Sequence, residues 1–415
     1  MTEALGNQIK ASRARLILSL IFILVIGIIS NYIYVLAVYV GPLSEFHGWS
    51  PNSIVLAYSV AMFIMIPAFM VGQVISNKFG TKRVMVASSV IYGLAILLSG
   101  MVKNVTLFVV CQGIMGSIGM YGILICTIQI VNVLYPTRKG LVMGLLYGSQ
   151  AAGAGLLAPV ATLFIENFNV SMALILQGVI FTIILFVCSI FITDPTNGEA
   201  VEVEEETVDL NRPSMTWKKM LTHPGFYLMS FGIIAIQMIG NVLITDAAYL
   251  AETVYQATPA QSAFAISVFS MAAGLGGVVV GYVSDKIGPF MTTAILGILD
   301  GILLAILAIA GADNYTMFVV ILVIQGFTYN GITTLNPVMA TEAFGGKDLG
   351  ICIGFTGISS MAVSFIGPQL GLSVPFVPMI MICAVLSVIG GFLFIACKKT
   401  YNTYYKGIGS NVVLK

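Results

Sequence analysis

Apolar residues run along this chain in blocks of about twenty, the length that carries a helix across a hydrocarbon core. Short polar punctuation separates the blocks. Twelve such runs are predicted to be membrane helices, at roughly residues 16–42, 52–76, 84–102, 105–133, 140–164, 171–193, 225–250, 260–284, 289–311, 315–341, 349–373 and 376–397. The one long polar insertion, Asp194 to His223 with Glu202, Glu204, Glu205 and Glu206, falls between the sixth and seventh runs and reads as a solvated linker. The expected fold is therefore an all-α membrane protein with twelve transmembrane helices in two pseudo-symmetric six-helix halves. An N-terminal bundle would span 1–193, a linker 194–223 and a C-terminal bundle 224–415.

The punctuation repeats six helices apart. Asn77-Lys78-Phe79-Gly80-Thr81-Lys82-Arg83 after the second run answers to Gly281 and Ser284-Asp285-Lys286-Ile287-Gly288 after the eighth. Pro136-Thr137-Arg138-Lys139-Gly140 after the fourth answers to Gly345-Gly346-Lys347-Asp348-Leu349-Gly350 after the tenth. The fifth run carries Gly140, Gly144 and Gly148, and the eleventh Gly350, Gly354 and Gly357. Small residues one turn apart let helix backbones approach closely. A duplicated half predicts a site near mid-membrane where the two copies face each other.

Composition fixes the solvent. Hydrophobic residues make up 58% of the 415 and charged residues 8%, with a mean hydropathy of +1.01; soluble domains carry about a quarter charged residues. With the N-terminus in the cytoplasm, every one of the 18 basic residues except Lys103 falls on the cytoplasmic side, so both termini are expected inside. The first apolar run is too long for a cleaved leader and no small-residue cleavage site follows it. Six scattered cysteines read as small buried hydrophobes, not as a disulfide or metal set. Asn104-Val-Thr and Asn314-Tyr-Thr are glycosylation sequons pressed against the outer face. No phosphate loop, nucleotide fingerprint, metal cluster or nucleophile–base pair is present, so the sequence supports no enzyme, cofactor, metal or nucleic-acid reading.

Polar groups at bilayer depth point to a lined cavity, because hydrocarbon penalises them unless they face protein or water. The stretch from Gln325 to Gly357 concentrates them: Gln325, Tyr329, Asn330, Thr333 and Thr334, then Thr356 across a short hairpin. Others are Asn31 and Tyr34 on the first helix, Tyr121 on the fourth, Tyr147 and Gln150 on the fifth, and Gln237 with Asn241 one turn apart on the seventh. Helix-to-helix hydrogen bonding is the alternative for any single one of them. Two carboxylates lie within spans. Asp246 sits in the outer third of the seventh helix, near a wet mouth, and Asp300 near the middle of the ninth. Both are candidate proton-coupling groups.

Gly281-Tyr-Val-Ser-Asp285-Lys286-Ile-Gly288 resembles the signature of the major facilitator superfamily for the loop joining helices two and three and its repeat. The resemblance extends over nearly the whole chain. In the first copy Gln73 stands where glycine is usual and Asn77 where the acid is usual. The resemblance assigns a conformational, gating role to Asn77, Arg83, Gly281, Asp285, Lys286 and Gly288. Leu134-Tyr135-Pro136-Thr137-Arg138-Lys139-Gly140, Phe327-Thr328-Tyr329-Asn330-Gly331 with Pro337, and Glu342 to Gly350 resemble the oxalate/formate antiporters and monocarboxylate transporters. That family pairs substrate carboxylates with an arginine on the eighth helix and, in oxalate carriers, a lysine on the eleventh. Here those positions are Gly277 and Thr356.

Without those cations a dicarboxylate lacks a counter-charge, which speaks against oxalate exchange. A monoanion could still be held by hydroxyls, amides and helix N-termini, or travel as its neutral acid. The expected function is secondary transport of a small organic acid, a monocarboxylate first, by alternating access, with a proton or an exchanged solute as coupling partner. A carrier of a neutral or amphipathic metabolite and a non-transporting, transporter-like sensor are the alternatives. The expected partners are the small-molecule carboxylate, the bilayer of the cell membrane and a coupling proton.

Overall fold

The computed structural model describes residues 13–30, 32–194, 214–311, 314–345 and 348–407. Asn31, Lys347 and the acidic cluster Glu202 to Glu206 lie outside them, as do the side chains of Tyr34 and Asp246. Among the described residues every regular element is helical.

The first span is α1 (Arg13–Ser30), a 3-10 turn over Tyr32–Val35, and α2 (Leu36–His47). Spans two and three are α3 (Pro51–Phe79) and α4 (Thr81–Met101). The fourth is α5 (Val105–Val109), a π-helical stretch Val110–Met115 and α6 (Gly116–Leu134). The fifth and sixth are α7 (Lys139–Asn167) and α8 (Val170–Phe191). A short helix α9 (Trp217–Thr222) precedes spans seven to twelve: α10 (Pro224–Tyr255), α11 (Pro259–Ile287), α12 (Pro289–Gly311), α13 (Tyr315–Phe344), α14 (Leu349–Ser373) and α15 (Phe376–Gly407). Ten of these have the length and apolarity of a full membrane span among the described residues, and Ala14–Ser30 and Leu349–Ser364 are shorter apolar helices. Large apolar side chains such as Phe63, Met271, Leu275 and Ile309 stand exposed, as lipid-facing residues do.

Two compact units emerge. One comprises Met1–Thr137 with Ser149–Asp209, the other Arg138–Gly148 with Leu210–Lys415. The first turns of α7 thus pack with the second unit.

The duplication is written into the helix ends. Ser50-Pro51 and Thr258-Pro259 open α3 and α11 as equivalent caps, the Ser50 hydroxyl accepting from the Ser53 amide and Thr258 from Gln261. Gly80 (φ 90°) and Gly288 (φ 86°) close them in backbone conformations that favour glycine, donating to the Ser76 and Ser284 carbonyls at 2.9 and 2.8 Å. Asn104 and Asn314 are N-caps of α5 and α13, each Oδ1 accepting at 2.8 Å from the threonine amide two residues on. The asparagines of the two sequons thus serve the same capping role in both halves.

The first run, expected as one continuous helix, is interrupted. The Tyr92 hydroxyl donates to the Ile29 and Ser30 carbonyls at 3.2 and 3.3 Å, so acceptors of the helical ladder are engaged by a side chain. Beyond the break, the Tyr32 and Tyr39 hydroxyls both donate to Gln177 Oε1 on α8. The last helix also exceeds its expected end at 397. Its final turns carry Tyr401 and Tyr405, both buried; Tyr401 stacks on His223, and the Tyr405 hydroxyl donates to the Ala343 carbonyl at 2.5 Å.

His223 caps α10, its Nδ1 accepting from the Gly225 amide at 3.1 Å. Burial, and after it Lys219, holds this imidazole below its ordinary value. It is therefore neutral at pH 7, as the acceptor role requires. As pH falls the unfolded chain takes the proton first, so stability should be flat above about 6.5 and drop below it. Melting of the purified protein between pH 8 and 5 should show that loss. His223→Asn, which keeps an acceptor, should flatten the curve down to the share contributed by His47, which burial and Lys103 also hold low.

Candidate functional site

In the second unit α10, α13 and α14 bring their polar positions together. Gln237 Nε2 on α10 donates to Thr333 Oγ1 on α13 at 3.0 Å, and Gln237 Oε1 accepts from Ser360 on α14 at 3.1 Å. One turn further, Asn241 Oδ1 accepts from Ser364 at 2.9 Å while its Nδ2 donates to the Gln237 carbonyl at 3.2 Å. Residues four apart lie on one helix face, so the pair Gln237/Asn241 meets the pair Ser360/Ser364 rung by rung. The Tyr329 ring lies half-buried against Gly240 and faces Phe269 at 6.4 Å. Thr333 and Tyr329 share a helix face, and the Thr333 hydroxyl also donates to the Tyr329 carbonyl at 2.9 Å. Ser360 and Ser364 were not singled out in the sequence; their i, i+4 spacing, matched to Gln237 and Asn241, is the signal that could have found them.

Two other expected site residues are turned into helix packing. Asn330 Nδ2 donates to the Ala273 carbonyl at 2.8 Å, and the buried Thr356 donates to its own helix at the Ile353 carbonyl, 3.1 Å away. Tyr147 stands half-buried on the first turns of α7.

The position where the resembling family has its arginine is a close helix contact. A Cβ on Gly277 would lie 2.9 Å from Asn330 Nδ2, 3.1 Å from Thr334 Oγ1 and 3.3 Å from the Gly144 carbonyl. Gly144, in turn, would place a Cβ 2.9 Å from the Gly277 carbonyl carbon and closer still to its oxygen. Gly281 faces Gly140 in the same manner. The glycines of α7 and α11 form one seam, and a guanidinium has no room in it.

At the end of that seam stands Asp285. Its Oδ1 accepts from the Gly140 amide at 2.7 Å and its Oδ2 from the Leu141 amide at 2.8 Å, so one carboxylate holds two orphan donors of the α7 N-terminus. Lys139 beside it pairs with Glu342 of α13 at 2.9 Å. Lys286 lies over the Tyr282 ring at 4.4 Å.

The first unit is built differently at the equivalent place. Gln73 Nε2 donates to Asn77 Oδ1 at 2.7 Å, and Gln129 bonds Ser76 and Thr81 at 3.0 and 3.2 Å, a network of neutral amides and hydroxyls. Arg83 is exposed nearby. Asn77, Lys78, Lys82 and Arg83 rim a surface cavity of about 800 Å³ at the end of α3. Deeper in this unit, Gln150 Nε2 donates to Ser30 Oγ at 3.1 Å, while Tyr121 is buried with its ring 5.2 Å from Phe69.

A model of the Major Facilitator Superfamily matches residues 20–368 and 239–408. The chain is 24% identical over 292 residues to the uncharacterized MFS-type transporter YhjX of Escherichia coli K12, covering 69% of this chain and 71% of that one. It is 22% identical over 355 residues to the oxalate:formate antiporter of Oxalobacter formigenes, covering 85% and 83%. Among solved structures, the proton:xylose symporter XylE superposes with a TM-score of 0.69 at 14% identity, covering 93% of this chain and 96% of that one. A bacterial homologue of the iron transporter ferroportin superposes with 0.71 at 11% identity, covering 93% and 99%.

Proposed function

Because the chain belongs to the Major Facilitator Superfamily, we propose that it carries a small monocarboxylate across the membrane by alternating access. The observation that carries this reading is the cation-free cluster Gln237, Asn241, Thr333, Ser360 and Ser364 beside Tyr329. Amides and hydroxyls can each donate to one carboxylate oxygen, and the tyrosine ring supplies an apolar wall for a short carbon chain. Gly277 and Thr356, where a related carrier would place its cations, offer no charge to a second carboxylate. Oxalate is accordingly not the solute, although an oxalate:formate antiporter is among the relatives. The basic helix ends face the cytoplasm in this reading, with the seam of α7 and α11 and the Asp285 cap acting as the gate on that side.

Formate, acetate and lactate should raise the melting temperature of the purified protein with concentration, by about 2.7 kcal/mol of added stability at a hundred times Kd. Oxalate and neutral sugars should not, and Gln237→Ala should remove most of the shift. A rise with oxalate alone, or with none of the monocarboxylates, would overturn the assignment. The absence of cations also favours a second reading, a neutral metabolite, and a shift produced only by uncharged solutes would identify that case.

A further inference from the structure

Asp300 lies midway along α12 with its side chain fully buried. Three neighbouring side chains surround it: Gln325 Nε2 donates to Oδ1 at 2.6 Å, Ser387 Oγ lies 3.0 Å from Oδ2, and the Thr328 hydroxyl stands close to the same carboxyl. Gln325 and Thr328 belong to α13 and Ser387 to α15, so one acid ties three helices. All three partners are themselves buried.

Among the described residues no cation answers this charge. The groups facing it are Gln325 and Thr328 from α13, and Ser387 with the Cys383 thiol from α15. From Pro259 through Gly281, α11 carries no ionisable side chain. An uncompensated carboxylate in the middle of a membrane helix is expensive, so the charge is cancelled either by a bound metal cation or by a proton. The spacing decides between them. A hard cation gathers oxygens around itself at about 2.3–2.6 Å, whereas Oδ1 here is met by an amide N–H and Oδ2 by a hydroxyl in direct hydrogen-bond contact. The helices leave no slack for an ion, since a Cβ on Gly297 would lie 2.9 Å from the Ser387 carbonyl and one on Gly301 3.0 Å from the Val388 amide.

We propose that Asp300 is a proton-binding site, held as the neutral carboxylic acid in this packing, and that it is where the transported proton rides. The second clause rests on the transport reading above; the first does not. The partner chemistry suits an acid that changes state in place. Hydroxyls accept as readily as they donate, so Ser387 and Thr328 serve the protonated and the ionised carboxyl without moving a heavy atom. The fixed Gln325 donor suits the oxygen that never carries the proton. Ionisation would put a bare charge between α12, α13 and α15, which couples the proton to how tightly those helices pack.

Infrared difference spectra of the purified full-length protein in H₂O and D₂O should contain a carboxylic-acid C=O band at neutral pH that is missing in Asp300→Asn. In proteoliposomes given formate, a pH gradient should drive accumulation by wild type, and Asp300→Asn should lose about tenfold of that drive while exchange at equal pH persists. An infrared spectrum unchanged by Asp300→Asn, or full gradient drive in that variant, would overturn the proposal. Should Asp300→Asn fail to fold, Ser387→Ala and Thr328→Val must each shift the band, and an unshifted band would equally refute it. If wild type moves no formate, the substrate reading fails, and the infrared band alone still decides whether Asp300 holds a proton.

Discussion

Gly144→Val should strongly destabilise the protein through the seam between α7 and α11. The added carbons meet backbone, namely the Gly277 carbonyl and Val278 Cα at 3.0 Å, and neither can swing aside. Overpacking of this kind costs about 1–3 kcal/mol even where side chains can adjust, so the upper end is expected here. Gly277→Ala should cost less, because its Cβ meets the amide of Asn330 and the hydroxyl of Thr334, which can rotate. Gly274→Ala should be nearly silent, with only the Gly148 carbonyl at 3.9 Å nearby. Melting temperatures of the three variants in one detergent test the order Gly144, Gly277, Gly274. A Gly144→Val protein as stable as wild type would mean that the seam is not close-packed.

Asp285→Asn carries the second large effect. The carboxylate satisfies two backbone donors with one oxygen each, and hydrogen bonds to a charged group contribute about 1.5–3 kcal/mol. An amide keeps one acceptor but turns an NH₂ toward the other N–H, leaving donor against donor and removing the charge at the helix N-terminus. A loss of about 2 kcal/mol corresponds to roughly a 30-fold shift in population. Hydrogen exchange at Gly140 and Leu141 should accelerate by about that factor. Asn77→Ala, at the corresponding place in the first unit, removes the amide that accepts from Gln73 and should leave exchange near Thr81 within a few-fold of wild type. Equal effects at both positions would show that the two halves are held alike, contrary to the asymmetry of their side chains.

Much of this architecture could be read from residue order, and the exceptions share a cause. Spans show in hydropathy because the bilayer imposes a length on every one of them. The glycines at 80 and 288 show because helix endings need a backbone conformation that favours glycine. The 3-10 turn over Tyr32–Val35 does not show, because the hydroxyl that engages the Ile29 and Ser30 carbonyls just before it belongs to Tyr92, some sixty residues away on α4. Asn104 and Asn314 were visible as a motif, but their capping role was not, since an Asn-x-Thr string suits a helix cap as well as a glycan. In the polar cluster, Gln237 and Asn241 stood out as amides at bilayer depth, whereas Ser360 and Ser364 are small enough to pass as helix-packing residues. Only their register against α10 gives them away. Asp300 was noticed for its charge, yet its three partners lie on two other helices and no local spacing predicts them.

The long final helix has a practical bearing on expression work. A truncation set where the apolar run ends, at residue 397, would discard the two tyrosines that pack against the ends of α10 and α13, leaving the Ala343 carbonyl and the His223 ring uncovered. Reporter fusions and affinity tags belong beyond Gly407, where the last helical turn has already docked.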